Sequence, residues 1–300
     1  MDPAAAACPI DTDHEQLVVS YDSDRGALWY RLNPSPRPCF NAPLLRELRH
    51  LQADLVRANR GARERGDTLP IRYAILASAR ADVFNLGGDL ALFSQLIRRR
   101  DRGALLAYAT ACIDVLHPNA VGFDQSVTTI SLVQGDALAG GFEAALSSHV
   151  VVAERQARFG LPEVLFNLIP GMGAYSFLSR RLGPAAVDHL ILGGEMLTAD
   201  EMLDLGLVDV VVDEGRGEAA VMDCLTRYER RRNAYTTLRR VRQLVHPITY
   251  DELIAVTTIW VDAALRLSPR DLRMIDRLVA AQDRAFGDPP AAEQAMRATG

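Results

Sequence analysis

Residues 135–153, GDALAGGFEAALSSHVVVA, constrain the fold more than any other stretch of the chain. They link two runs rich in β-branched residues, SVTTISLVQG (126–135) and HVVVA (149–153), both expected as strands. Between the runs, the Gly140-Gly141 pair opens a small, apolar stretch expected as a helix, and one carboxylate, Glu143, stands in it. Strands alternating with helices imply an α/β architecture. A lone acid in a segment fit for a core needs a reason, because Glu is seldom buried unpaired.

The rest of the chain extends this pattern. LVVSYD (17–22) and ALWYRL (27–32) read as strands joined by a turn over Ser23 to Gly26, and IRYAILAS (71–78) reads as a buried strand. A helix follows the proline-rich loop NPSPRPCF, with Leu44, Leu45, Leu48, Leu51 and Leu55 on one face. Further helices are expected from Asp89 to Arg102, from Ala104 to a stop near His117-Pro118, and from Gly171 and Gly173 to Arg181. Gly183 then caps, Pro184 begins the next helix, and Thr198 with Glu201 forms a capping box for 199–205. LVDVVVD (207–213) is strand-like, and nearly everything after Gly217 is helical. The expected organisation is a flexible arm over 1–16, an α/β core over 17–215 and a helical C-terminal region over 216–300.

Several function classes are disfavoured. The net charge of −5 argues against a general nucleic-acid role. All 33 basic residues are Arg, so neither Schiff-base chemistry nor a Walker lysine is available. Cys8, Cys39, Cys112 and Cys224 are scattered without a CxxC pair, which argues for free thiols in a reducing cytosol and against structural zinc. MDPAAAACPI has no basic n-region and no long apolar h-region, so no secretory signal is expected. No apolar run approaches the ~18 residues of a membrane span. A cytoplasmic protein without a metal site, and without nucleic-acid or membrane partners, is expected.

A helix beginning at Gly140 presents a backbone N–H at its positive end, and Glu143 follows within the first turn. Glycine there lets a ligand oxygen approach. Taken alone, the stretch fits close helix packing equally well, with Glu143 merely favouring the helix start. Two other stretches complete a set. DVFNLGGDL (82–90) could supply a second N–H, that of Gly88. ARFGLPEVLFNLIPGMG (157–173) supplies a second carboxylate, Glu163, behind the rigid Pro162.

In this ordered set the chain resembles the crotonase (enoyl-CoA hydratase/isomerase) superfamily, from about Leu17 to Asp213 and most strongly from Val83 to Val212. The likeness rests on the G-G-x-E and F-G-x-P-E segments, the I-P-G-x-G helix start and the T-A-x-E-x-x-x-x-G-L-V run at 198–208. It implies a ββα spiral core with a helical C-terminal region that builds homotrimers, often paired into hexamers. It also implies that Gly88 and Gly140 supply oxyanion-hole amides and that Glu143 and Glu163 are the catalytic carboxylates. Within the superfamily, FNLGGDLALF (84–93), QGDALAGGFEAALSSH (134–149) and the Arg-rich tail are similar to the diffusible-signal-factor synthases, which make cis-2-unsaturated fatty acids from 3-hydroxyacyl thioesters. No cofactor is implied beyond the acyl carrier protein or coenzyme A that bears the substrate.

The chemistry accounts for these groups. Dehydrating a 3-hydroxyacyl thioester removes an α-proton and expels hydroxide, and two N–H groups stabilise the enolate oxygen. One carboxylate takes the proton while the other, protonated, assists the leaving hydroxyl; either assignment fits the sequence. The same groups could activate water to hydrolyse the thioester. Leu138, Phe142, Leu161, Met172 and Tyr175 are candidates to contact the acyl chain, with Leu165, Phe166 and Leu168 nearby. His117 and His149 are expected to be structural. Arg37 and the run Arg98, Arg99, Arg100 and Arg102 are either solvated faces or contacts for the phosphate end of an acyl carrier. Three functions compete: the signal synthase, an enoyl-CoA hydratase of fatty-acid degradation, and a catalytically silent scaffold that binds an acyl ligand or a signalling partner.

Overall fold

The computed structural model describes residues 8–286. Strands β1 (Leu17–Asp22) and β2 (Ala27–Leu32) form an antiparallel hairpin, in register from Leu17↔Leu32 to Asp22↔Ala27. Asn41 caps α1 (Ala42–Arg65), which buries the predicted leucine stripe, and Gly66 ends it in a left-handed turn. β3 (Tyr73–Ser78), β4 (Val83–Asn85), α2 (Leu90–Arg98) and α3 (Arg102–Ala120) follow. Then come β5 (Thr128–Val133), β6 (Asp136–Leu138), α4 (Gly140–Leu146), β7 (Val150–Glu154) and β8 (Arg158–Gly160).

β3, β5 and β7 each lead directly into a strand of a second sheet, so the chain winds as a ββα spiral. The larger sheet has the order β1-β2-β3-β5-β7-β10, parallel from β2 onward, with β10 at Val210–Val212. The smaller has the order β4-β6-β8-β9, with β9 (Met196–Thr198) antiparallel to β8. β3, β5 and β7 are buried at every position, as continuous apolar strands in a sheet covered on both faces should be. α8 (Gly217–Arg230) covers one face through Val221 and Leu225, and the spiral interior covers the other.

α5 (Ala174–Leu178), α6 (Pro184–Gly193) and α7 (Ala199–Asp204) connect β8 to β10, with the Thr198–Glu201 capping box formed as expected. α9 (Arg232–Val245), α10 (Tyr250–Ala264) and α11 (Pro269–Phe286) complete the helical tail. α10 and α11 pack on α2 and α3, sharing a cluster of Phe93, Leu105, Val261 and Ile275.

The structure corrects several expectations, among them the helix expected from Asp89 to Arg102, which ends at Arg98 before Arg100 turns the chain at φ 54°. α3 does not stop at His117-Pro118 but runs to Ala120, because buried Asn119 anchors its last turn to Tyr30, Ser147 and Ser148. The helix after Gly173 ends at Leu178 rather than Arg181. The strand in 207–213 is confined to Val210–Val212, where it pairs with β7. Of the expected arm, residues 1–7 lie outside the described residues, while Ile10 is packed into the main core. Among the described residues, no helix is long and apolar enough to cross a membrane, and no group of His, Cys, Asp and Glu could hold a metal ion.

Candidate active site

The end of β6 and the start of α4 form the centre of the site. Ala139, between them, has φ 51° and ψ −129°, a conformation costing an L-residue roughly 1–3 kcal/mol. This bend turns the chain sharply from strand into helix. Gly141 follows because nothing larger fits: a Cβ there would lie 2.0 Å from the carbonyl oxygen of Asn85. α4 is buried along its whole length, so Glu143 is only 1% exposed.

Opposite, β4 ends in the Gly87-Gly88 turn. Gly87 takes φ 93°, its N–H donates to Asn85 Oδ1 at 2.8 Å, and its carbonyl accepts from Phe40 N–H at 2.7 Å. Gly87 packs on Gly140, for a Cβ on Gly87 would meet Gly140 N at 2.7 Å. Tyr108 secures the next residue, its hydroxyl accepting from Asp89 N–H at 2.7 Å and donating to the Phe40 carbonyl at 2.9 Å. Gly88 and Gly140 are thus adjacent to one cavity. Among the described residues, neither of their N–H groups donates in the turn, loop and cap hydrogen bonds.

Glu143 Oε1 accepts two backbone hydrogen bonds, from Met172 N–H at 2.7 Å and Ala174 N–H at 2.8 Å. They hold the carboxylate against the turn at Gly173, which has φ 110°. Burial raises the Glu143 pKa to about 7, against the opposing pull of these two donors. Glu163 sits in a 3-10 turn (Pro162–Phe166), 7% exposed, with no hydrogen-bond partner for its buried Oε2. Burial first, and then the charge of Glu143, hold its pKa well above the usual carboxylate range. The charge of one carboxyl disfavours ionising the other, so the pair resists losing both protons at once.

Both glutamates and both glycines face one cavity of about 340 Å³ with a largely apolar wall. Of the acyl-contact candidates, Leu138 and Met172 line it. The other three do not. Phe142 lies edge-on to Phe159 in the core, with ring centroids 5.4 Å apart. Leu161 is a core residue whose successors Pro162 and Glu163 take the cavity side. Tyr175 is 42% exposed, because the buried neighbour Ala174 occupies the inner face and the next helical position points outward. Phe166 lines the cavity, Leu168 belongs to the adjoining helical cluster, and Leu165 is exposed.

Other wall residues escaped the sequence reading. Tyr108 and Cys112 come from α3, Phe93 from α2 and Trp260 from α10, the last two stacked with centroids 5.2 Å apart. α11 closes the far side with Leu278, Ala281, Gln282, Ala285 and Phe286. Their i, i+3, i+4, i+7 and i+8 spacing was a usable signal, although it could not say what the stripe faced. Arg37 is held by Asp283 at 2.9 Å and Asp89 at 3.5 Å, joining the proline-rich loop to α11 and α2. Arg98 pairs with Asp276 and Arg102 with Asp262, so half of the basic run is occupied in holding α10 and α11. His149 accepts from Thr129 N–H at 3.1 Å and does not reach this cavity, and neither does His117.

A family model described as enoyl-CoA hydratase/isomerase matches residues 63–262. The peroxisomal bifunctional enzyme of Danio rerio is 40% identical over 92 residues, which cover 31% of this chain and 13% of that enzyme. The match therefore spans only a small part of that relative's length. The enoyl-CoA hydratase of Bacillus halodurans has a similar fold, with TM-score 0.71 at 19% identity over 88% of this chain and all of that one. Pseudomonas aeruginosa DspI is similar in fold at TM-score 0.62 and 24% identity, covering 80% of this chain and 83% of DspI.

Proposed function

The chain belongs to the enoyl-CoA hydratase/isomerase (crotonase) family, and from that premise we propose that it is a cytoplasmic 3-hydroxyacyl thioester dehydratase with thioesterase activity. Its product would be a cis-2-unsaturated fatty-acid signal. The observation that carries this reading is the convergence of Glu143, Glu163, Gly88 and Gly140 on one apolar cavity. The Gly88 and Gly140 N–H groups receive the thioester oxygen. One such donor is worth about 3–4 kcal/mol in the transition state. The ionised member of the glutamate pair takes the Cα proton, and the C–H electrons form the enolate. The protonated member donates to the Cβ hydroxyl, which leaves as water as the double bond forms. In the second step a carboxylate-activated water adds to the carbonyl carbon, the same amides hold the oxyanion, and the thiol leaves with a proton.

The signal-synthase assignment is supported by the segments at 84–93 and 134–149 and by a largely apolar wall suited to an alkyl chain. The carrier is acyl carrier protein or coenzyme A, no other cofactor takes part, and the functional unit is a homotrimer or hexamer. The exposed Val241, Leu244 and Val245 on α9, a helix with no buried residue, support assembly. A second reading is an enoyl-CoA hydratase, favoured by the family match and the local identity to the peroxisomal enzymes. Incubation with 3-hydroxyacyl carrier protein and, separately, trans-2-enoyl-CoA, followed by mass spectrometry, separates the two. Free cis-2-enoic acid from the carrier-protein substrate is expected. Turnover of the coenzyme A substrate alone, with no free acid, would establish the hydratase instead.

A further inference from the structure

A second cavity, of about 600 Å³, lies between the inner face of α9 and the turn from α4 into β7. It shares no wall residue with the glutamate cavity. Its charge is one-sided. Arg181, Arg239 and Arg242 all reach it, whereas Asp209, 3.8 Å from Arg181, is the one acidic residue on its wall. Arg180 also borders it but is already paired with Glu252 at 2.6 Å.

Neutral acceptors set the geometry of Arg239 and, alongside Asp209, of Arg181. Arg239 donates to the Val127 carbonyl at 3.2 Å and to Thr128 Oγ1 at 2.6 Å, and Arg181 donates to the Leu207 carbonyl at 3.1 Å. Arg242 has no ion-pair partner among the described residues. His149 on the floor adds no charge, since burial and then Arg239, Arg181 and Arg242 push its pKa down to about 3. This is a local excess of cations in a chain of net charge −5.

Holding Arg181, Arg239 and Arg242 together with Asp209 as the single acidic neighbour on the wall costs free energy that a bound anion offsets. Arg guanidiniums match phosphate oxygens bidentately. The volume lies within the roughly 300–1,000 Å³ of small-molecule sites and exceeds what a bare phosphate fills. Tyr228 and Tyr235, stacked with centroids 4.0 Å apart, give one wall an aromatic surface. We infer that this cavity binds a small organic phosphate of about nucleotide size, its phosphate held by Arg181, Arg239 and Arg242 and its organic body against the tyrosine wall. The site is independent of the acyl-thioester reading.

Isothermal titration calorimetry on the full chain, with ADP and pyrophosphate as probes, tests the inference. ADP is expected to bind more tightly than pyrophosphate, and both more weakly as salt rises from ~20 to ~200 mM. Arg242→Glu, on the exposed helix α9, and Arg239→Gln should each weaken ADP binding about tenfold or more, the scale of a lost charge-assisted hydrogen bond. Arg37→Gln, beside the other cavity, should leave it unchanged. Matching circular dichroism of wild type and Arg242→Glu keeps a loss of binding distinct from unfolding. The inference is overturned if neither probe binds, if pyrophosphate binds as tightly as ADP, or if binding survives both substitutions. It is also overturned if Arg242→Glu changes the sedimentation coefficient but not ADP affinity, which would make the cavity a seat for a second copy of the chain.

Discussion

Glu143 and Glu163 lose their water on folding, and Gln at either position keeps the shape while removing the charge. Each substitution is expected to lower turnover by about 10²–10⁴-fold, the usual worth of a positioned acid or base, while circular dichroism stays unchanged. Wild-type rates in both variants would remove the glutamates from the chemistry, and no turnover by folded wild-type protein would favour the silent-scaffold reading. In the proposed mechanism the working state has one proton on the pair, so the pH–rate profile should be bell-shaped. It should fall on the acid side as pH drops through about 7 and on the alkaline side as Glu163 ionises. Stability follows the opposite logic from a salt-bridged acid. A carboxyl whose pKa is raised from 4.5 to about 7 contributes its full share below the lower value and loses it as pH rises through the higher one. Glu163→Gln should therefore melt at a higher temperature than wild type in alkaline buffer, as thermal scans at several pH values would show.

At the scale of elements, the β4–α2 turn and the β6–α4 turn do their work through glycine. Gly141→Ala places a Cβ 2.0 Å from a backbone oxygen that cannot swing aside, so denaturant titration should show a loss of about 1–3 kcal/mol. These turns were legible in the sequence because Gly-Gly pairs and capping residues act locally. The hairpin of β1 and β2 and the capping box at Thr198 and Glu201 appeared as expected for the same reason. The end of α3 was not legible. Pro118 signals a stop, and only long-range bonds from Asn119 to Tyr30, Ser147 and Ser148 carry the helix past it. Phe142, Leu161 and Tyr175 failed as cavity residues for a related reason: proximity in sequence to Glu143, Glu163 and Gly173 does not say which side of an element faces the ligand.

At the scale of the whole molecule, the glutamate cavity is built from both halves of the chain. The spiral supplies the glutamates and amides, and the tail supplies Trp260 and the α11 face. No local pattern in the sequence reports that docking, which depends on α10 and α11 meeting α2 and α3. The α11 face should set acyl length: Ala281→Phe or Ala285→Phe fills the far wall and should shift selectivity toward shorter chains by about 10–200-fold, read as relative kcat/KM. The most direct test of the central claim is exchange at Cα. A medium-chain 3-hydroxyacyl thioester is incubated in D2O and the recovered substrate is examined by mass spectrometry. Wild-type protein should incorporate solvent deuterium at Cα, and at least one of Glu143→Gln and Glu163→Gln, whichever removes the base, should not. Labelling by both variants at the wild-type rate, or none by folded wild-type protein, would contradict it.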